Sequence, residues 1–199
     1  MILSLIKFRK LFFLILILTP QVLFAHDTGD VAGGLSSGFL HPFTGFDHVV
    51  AMIAVGIWGT QVKQPAIWLL PVTFPVVMAF GAMLGVIGVP LPGIEIGIAL
   101  SAIVLGGAIC FEAKPELWVA AIIVGIFAIF HGYAHGAELP GSVQPLAYGV
   151  GFVVGTGTLH AIGISLGLLE KVKKGDKIIR VFGALIALAG IYFLYNAIV

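Results

Sequence analysis

The chain has one cysteine, Cys110, so it has no internal disulfide and no cysteine-cluster metal site. Charge is scarce too. Only 10% of the residues are Asp, Glu, Lys or Arg, against about 25% in an ordinary soluble domain. With no basic stripe and no interleaving of aromatic and basic residues, no nucleic-acid partner is expected. No glycine run leads into a lysine in the nucleotide-binding pattern, so the sequence argues against direct use of ATP by this chain. There is no HExxH motif, because Glu112 and Glu116 sit beside a loop that lacks histidine.

Apolar side chains fill the space that charge leaves, at 60% of 199 residues. Runs long enough to span a bilayer recur along the sequence. The fold class is therefore all-α, a polytopic transmembrane helix bundle. Residues 1–25 read as a cleavable signal peptide: Lys7, Arg9 and Lys10 precede the apolar run Leu11 to Leu18, Thr19-Pro20 breaks it, and Ala25 offers a cleavage site. Residues 26–199 then form a single transmembrane domain. Six spans are predicted, at 33–60, 65–88, 94–111, 117–136, 145–169 and 178–198, or seven if the signal is retained. The first opens on Gly33, Gly34, Ser36, Ser37 and Gly38, so its start is short, broken or re-entrant, and Pro42 is predicted to begin its main helix. Pro71 and Pro75 fall inside the second, where a bundle tolerates them. Small residues recur on single helical faces: Gly81, Gly85 and Gly88; Gly125, Gly132 and Gly136; Gly151, Gly155 and Gly163. Such faces let membrane helices approach closely.

Loop charges give an orientation. Lys63 lies in the first loop, Lys114 in the third, and Lys171, Lys173, Lys174, Lys177 and Arg180 at the fifth, while the second and fourth have neither Lys nor Arg. Odd-numbered loops are therefore expected on the cytoplasmic side of a bacterial inner membrane, with the mature N-terminus and the C-terminus outside.

Against this background the ionisable residues inside spans stand out, because lipid makes them costly and function keeps them. His41 and His48 are seven residues apart, about 10 Å along a continuous helix, too far to share an ion unless Pro42 bends the chain. Asp47 adjoins His48, as a direct ligand or as a carboxylate that orients an imidazole. His131 and His135 are four apart, about 6 Å on one helical face, with Glu138 three residues on. His160 comes from another helix. In the expected orientation all five histidines occupy the outer half of the bundle. Imidazole with carboxylate suits nickel, cobalt, copper or zinc. The bland alternative is that each histidine bridges two helices by a hydrogen bond; it accounts for one such residue more readily than for five with two acids. Met52, Met78 and Met83 offer thioethers to a soft ion but read first as space-fillers.

Three motifs carry a resemblance: His41-Pro42, Gly45, Asp47-His48, Met52, Val55-Gly56; then Phe130-His131-Gly132, Ala134-His135-Gly136, Glu138; then Thr158, Leu159-His160, Gly163. In these the chain resembles the HupE/UreJ family of membrane proteins over essentially its whole length. The resemblance implies a nickel or cobalt permease tied to hydrogenase and urease systems, hence a functional link to metalloenzyme maturation. The family's metal-handling residues would correspond to His41, Asp47, His48, His131, His135, Glu138 and His160. The expected function is uptake of a divalent transition metal, nickel first, with no tightly held cofactor and no enzymatic activity. The alternatives are a membrane metal-binding accessory or sensor protein and, further off, an intramembrane metal-dependent hydrolase.

Overall fold

The computed structural model describes residues 31–139 and 144–199, and among these every regular element is helical. The expected signal peptide at 1–25 and the turn at Pro140-Gly141 lie outside the described residues. The helices are α1 (Val31–Leu40), α2 (Phe46–Val62), α3 (Ala66–Val86), α4 (Ile94–Cys110), α5 (Leu117–Ala137), α6 (Pro145–Gly167) and α7 (Gly175–Ile198). A 3-10 turn, His41–Phe43, joins α1 to α2, and another, Leu168–Lys171, follows α6.

Four of these helices, α3, α5, α6 with its 3-10 extension, and α7, are long and apolar enough to cross a membrane. At 21 residues, α3 and α5 are each about 32 Å long, close to the roughly 30 Å of a bilayer's hydrocarbon. The pair α1 and α2 makes a fifth candidate, bent by 81° at the 3-10 turn. α4 is apolar but has 17 residues, so the third predicted span is the shortest.

The first span corrects the expectation of a helix beginning at Pro42. A separate ten-residue helix precedes the proline, Pro42 sits inside the 3-10 turn, and α2 begins only at Phe46. Proline's fixed φ and missing N–H suit the start of a turn but not the interior of a continuing helix. The backbone therefore breaks here and restarts after Gly45. Pro71 and Pro75, by contrast, are carried inside a continuous α3.

Glycine decides which helices meet. A Cβ on Gly132 would run into the Met78 carbonyl oxygen, and one on Gly81 into that of Ile129, so α3 and α5 run side by side backbone to backbone. Gly106, Gly183 and Gly190 close α4 onto α7 in the same way. Both halves of the broken span lie along α6: Gly38 meets Tyr148 and Gly151 meets Leu35 from α1, while Gly56 meets His160 and Gly163 meets Ile53 from α2. Two expected glycines differ. Gly88 ends α3 with φ +71°, and Gly125 has only a Val77 methyl within reach at 4.0 Å. Trp58, Phe74, Met52 and Met78 are fully buried in the apolar core, whereas Met83 is half exposed, which fits the methionines as fillers.

The basic loops share one end of the bundle. There Trp58 Nε1 donates to the Ala113 carbonyl at 2.9 Å, Gln61 Nε2 to that of Ile109 at 3.2 Å, and Arg180 Nε to that of Cys110 at 2.9 Å. Glu112 lies 3.8 Å from Lys114 and 4.0 Å from Arg180. The histidines gather toward the opposite end.

Candidate metal site

The 81° break is what brings His41 back toward His48. His41 belongs to the 3-10 turn and His48 to the first turn of α2, and both reach the C-terminal end of α5. The ring of His135 lies 4.8 Å from that of His41 and 4.4 Å from that of His48, centroid to centroid. His48 continues to His131 at 4.8 Å. Four imidazoles from three elements thus form one chain of contacts, His41, His135, His48, His131.

Hydrogen bonds orient two of these rings. The Asp47 carboxylate can only accept, and its Oδ1 lies 2.9 Å from both the backbone nitrogen and the Nδ1 of His48. A neutral His48 therefore carries its proton on Nδ1 and its lone pair on Nε2. His131 Nδ1 donates to the Phe127 carbonyl, one turn back on α5, at 2.9 Å, which likewise leaves Nε2 as the lone-pair nitrogen. Neither Nε2 has a hydrogen-bond partner, nor has either nitrogen of His135. Buried polar atoms are paired in the great majority of cases, and a cluster of imidazole lone pairs with no partner in the protein suits a metal ion. Asp47 also stands in the first turn of α2, where the helix dipole favours negative charge. Gly45 leaves room for this pair, since a Cβ there would sit 2.9 Å from Asp47 Oδ1 and 3.0 Å from His48 Nδ1.

Glu138 lies at the mouth. Its Oε2 is 3.7 Å from His41 Nε2, and one ligand atom each from His41, His135 and Glu138 lie within 4.8 Å of one another. Ligands about 2.1 Å from a shared ion are roughly 3 to 3.5 Å apart, so modest side-chain closure would complete this triad. Exposure falls along the row: the Glu138 side chain is 65% exposed, that of His41 23%, while His135 and His48 are buried and His131 is wholly enclosed.

Six of the seven predicted residues are thus adjacent, and His160 stands apart. It is enclosed on α6, with Phe74 between it and His131 at 5.4 Å from each. The sequence reading missed the aromatic lining. Phe152 packs 4.4 Å from His135, and Tyr148 5.7 Å from His41, with a buried hydroxyl that has no partner. The spacing of four through Tyr148, Phe152, Thr156 and His160, one face of α6, was the signal that could have found them.

Comparisons with known proteins place the chain among relatives. The family model described as "HupE / UreJ protein" matches residues 14–193. "Protein HupE" of Rhizobium leguminosarum bv. viciae is 44% identical over 171 residues, covering 86% of this chain and 89% of the relative. No solved structure matches.

Proposed function

The chain belongs to the HupE / UreJ family, and on that premise we propose that it carries a divalent transition-metal ion inward across a bacterial inner membrane. Nickel is the first candidate, and cobalt, copper and zinc suit the same donors. The observation that carries the reading is the row of imidazoles. It begins at an exposed carboxylate, Glu138, and runs to the enclosed His131, with lone-pair nitrogens left unpaired along it. A storage site has no need of such a gradient of exposure; a path into the bundle does.

The finer reading takes α4 and the bent pair as crossings, six spans in all, with the basic loops cytoplasmic and the histidine end outside. An ion would meet Glu138 and His41 first and pass to His135, His48 and His131. The membrane potential, inside negative, favours entry of a divalent cation by about 4.6 kcal/mol per 100 mV. The all-helical fold and the family agree with a chain that is no enzyme. Its partners on this reading are the metal ion, the bilayer and, at a remove, the maturation of a metalloenzyme.

The test is uptake of nickel ion into proteoliposomes. The parent chain is expected to accumulate nickel, and His131→Ala and His135→Ala each to lose at least about tenfold in rate at normal membrane abundance, since even changes behind a ligand cost that much. A parent that binds nickel yet moves none would favour an accessory or sensor protein. Variants with normal affinity and poor abundance would reduce the histidines to helix packing.

A further inference from the structure

Two separate groups of unpaired polar atoms lie inside the bundle. One is the imidazole row already described. The other lies beyond Phe74 on α6, where Thr156 Oγ1 is buried without a hydrogen-bond partner and the enclosed His160 has at most one, the Pro71 carbonyl of α3. Thr156 and His160 are four residues apart and so share a helical face. Leaving such atoms unpaired is costly, so a polar occupant belongs between them. α3 adds an oxygen. Pro75 has no N–H to offer the carbonyl of Pro71, four residues back, and that carbonyl lies beside His160.

Phe74 stands between His131 of the first group and His160 of the second. It is fully buried, 5.4 Å from His131 at 70° between planes and 5.4 Å from His160 at 80°. It therefore meets both imidazoles edge to face. Measured along their own helices from the histidine end of the bundle, His131 is about 9 Å in, Phe74 about 18 Å and His160 about 22 Å. An ion leaving His131 for His160 meets the aromatic ring on the way. Rotation of one side chain would open that step, and the ring's face would attract the cation as it passed.

We propose that Phe74 is the gate between an outer imidazole station and an inner station formed by Thr156 and His160. The proposal rests on the metal-uptake reading and names the positioning residue that separates binding from passage. Phe74 would not ligate the ion. It would hold the outer station closed toward the inside until the ion is seated, so that both sides never open together.

The experiment pairs two readouts on the full chain: equilibrium binding of nickel ion in detergent, and the initial rate of nickel uptake in proteoliposomes. Phe74→Trp fills the passage. It is expected to keep nickel affinity within about twofold of the parent and to cut uptake by at least about tenfold. Phe74→Ala is expected to bind as the parent does and to take up nickel faster. Parental uptake in Phe74→Trp with binding intact overturns the gate. So do parallel losses of binding and uptake in both variants, which would make the ring a support for the cluster. If neither ring variant folds, Thr156→Val with His160→Ala decides the inner station by stoichiometry: the pair is expected to remove one nickel per chain and leave outer binding in place. An unchanged stoichiometry overturns the proposal. That arm needs no transport, so a parent chain that moves no nickel sinks the uptake reading without deciding the inner station.

Discussion

At the scale of the residue, Asp47 shows how one carboxylate sets the chemistry of its neighbour. Its Oδ1 takes both N–H groups that His48 can offer it, at 2.9 Å each. This fixes the tautomer with the lone pair on Nε2 and, through the negative charge, raises the basicity of that nitrogen. Asp47→Asn keeps the size and leaves an oxygen to accept, but removes the charge. Nickel affinity is expected to fall about 10- to 100-fold while the chain remains folded, and uptake to fall with it. Titration of purified protein with nickel, beside uptake in proteoliposomes, checks this; parental values in both would remove Asp47 from the ion's path. The residue was legible in the sequence because a carboxylate inside an apolar run is conspicuous. Its contacts were not. Spacing alone put His41 and His48 about 10 Å apart on a straight helix, and only the break at Pro42 lets both reach His135. Phe74 was invisible for the opposite reason: in a membrane span an aromatic ring looks like every other lipid-compatible side chain.

At the scale of the element, the site depends on helix pairs held at backbone contact. His131 and His135 are placed by α5, whose Gly132 and Gly136 lie against Met78 and Ala82 of α3. Any side chain on Gly132 would meet backbone, which cannot swing aside as a side chain can. Gly132→Ala is therefore expected to push α3 from α5, displace His131 from Phe74 and lower both melting temperature and uptake. Gly107 is the control, because a Cβ added there would meet nothing within 4 Å. Gly107→Ala is expected to be neutral or to stabilise by up to about 1 kcal/mol, the ordinary gain for alanine inside a helix. Thermal melting of both variants in detergent checks the pair, and equal melting temperatures would show that the close approach carries no weight. The sequence marked these faces as small, since the spacing of glycines is visible in one dimension. Which face meets which is a three-dimensional fact. Nothing in the spacing says that α6 takes both α1 and α2 while α4 takes α7, or that Gly88 leaves its face to end a helix.

At the scale of the whole molecule, the two ends of the bundle differ in chemistry, and on the uptake reading that difference is what would set the direction of transport. One end holds Lys63, Lys114 and the basic run from Lys171 to Arg180, tied together by the Arg180 contacts to Cys110 and Glu112. The other holds Glu138 and His41 at the mouth of the imidazole row. Basic loops stay cytoplasmic in bacterial membranes, so the mouth should face outward, where an imported ion arrives. The charge of the loops gives this orientation, and the uptake reading requires the same one. Labelling can separate them. With Cys110 changed to Ala, Lys173→Cys is expected to react poorly with a membrane-impermeant thiol reagent in intact cells and readily after permeabilisation. Glu138→Cys is expected to react from outside without permeabilisation, because its side chain is exposed. The opposite pattern, Lys173→Cys reactive and Glu138→Cys protected, would place the imidazole row at the cytoplasmic face. The same geometry would then have to serve export, or capture of an ion already inside. Reaction of both from outside would mean that α6 with its 3-10 extension, which lies between these two positions in the chain, does not cross the bilayer. The six-span arrangement would then fall, and with it the assignment of the two ends to opposite sides.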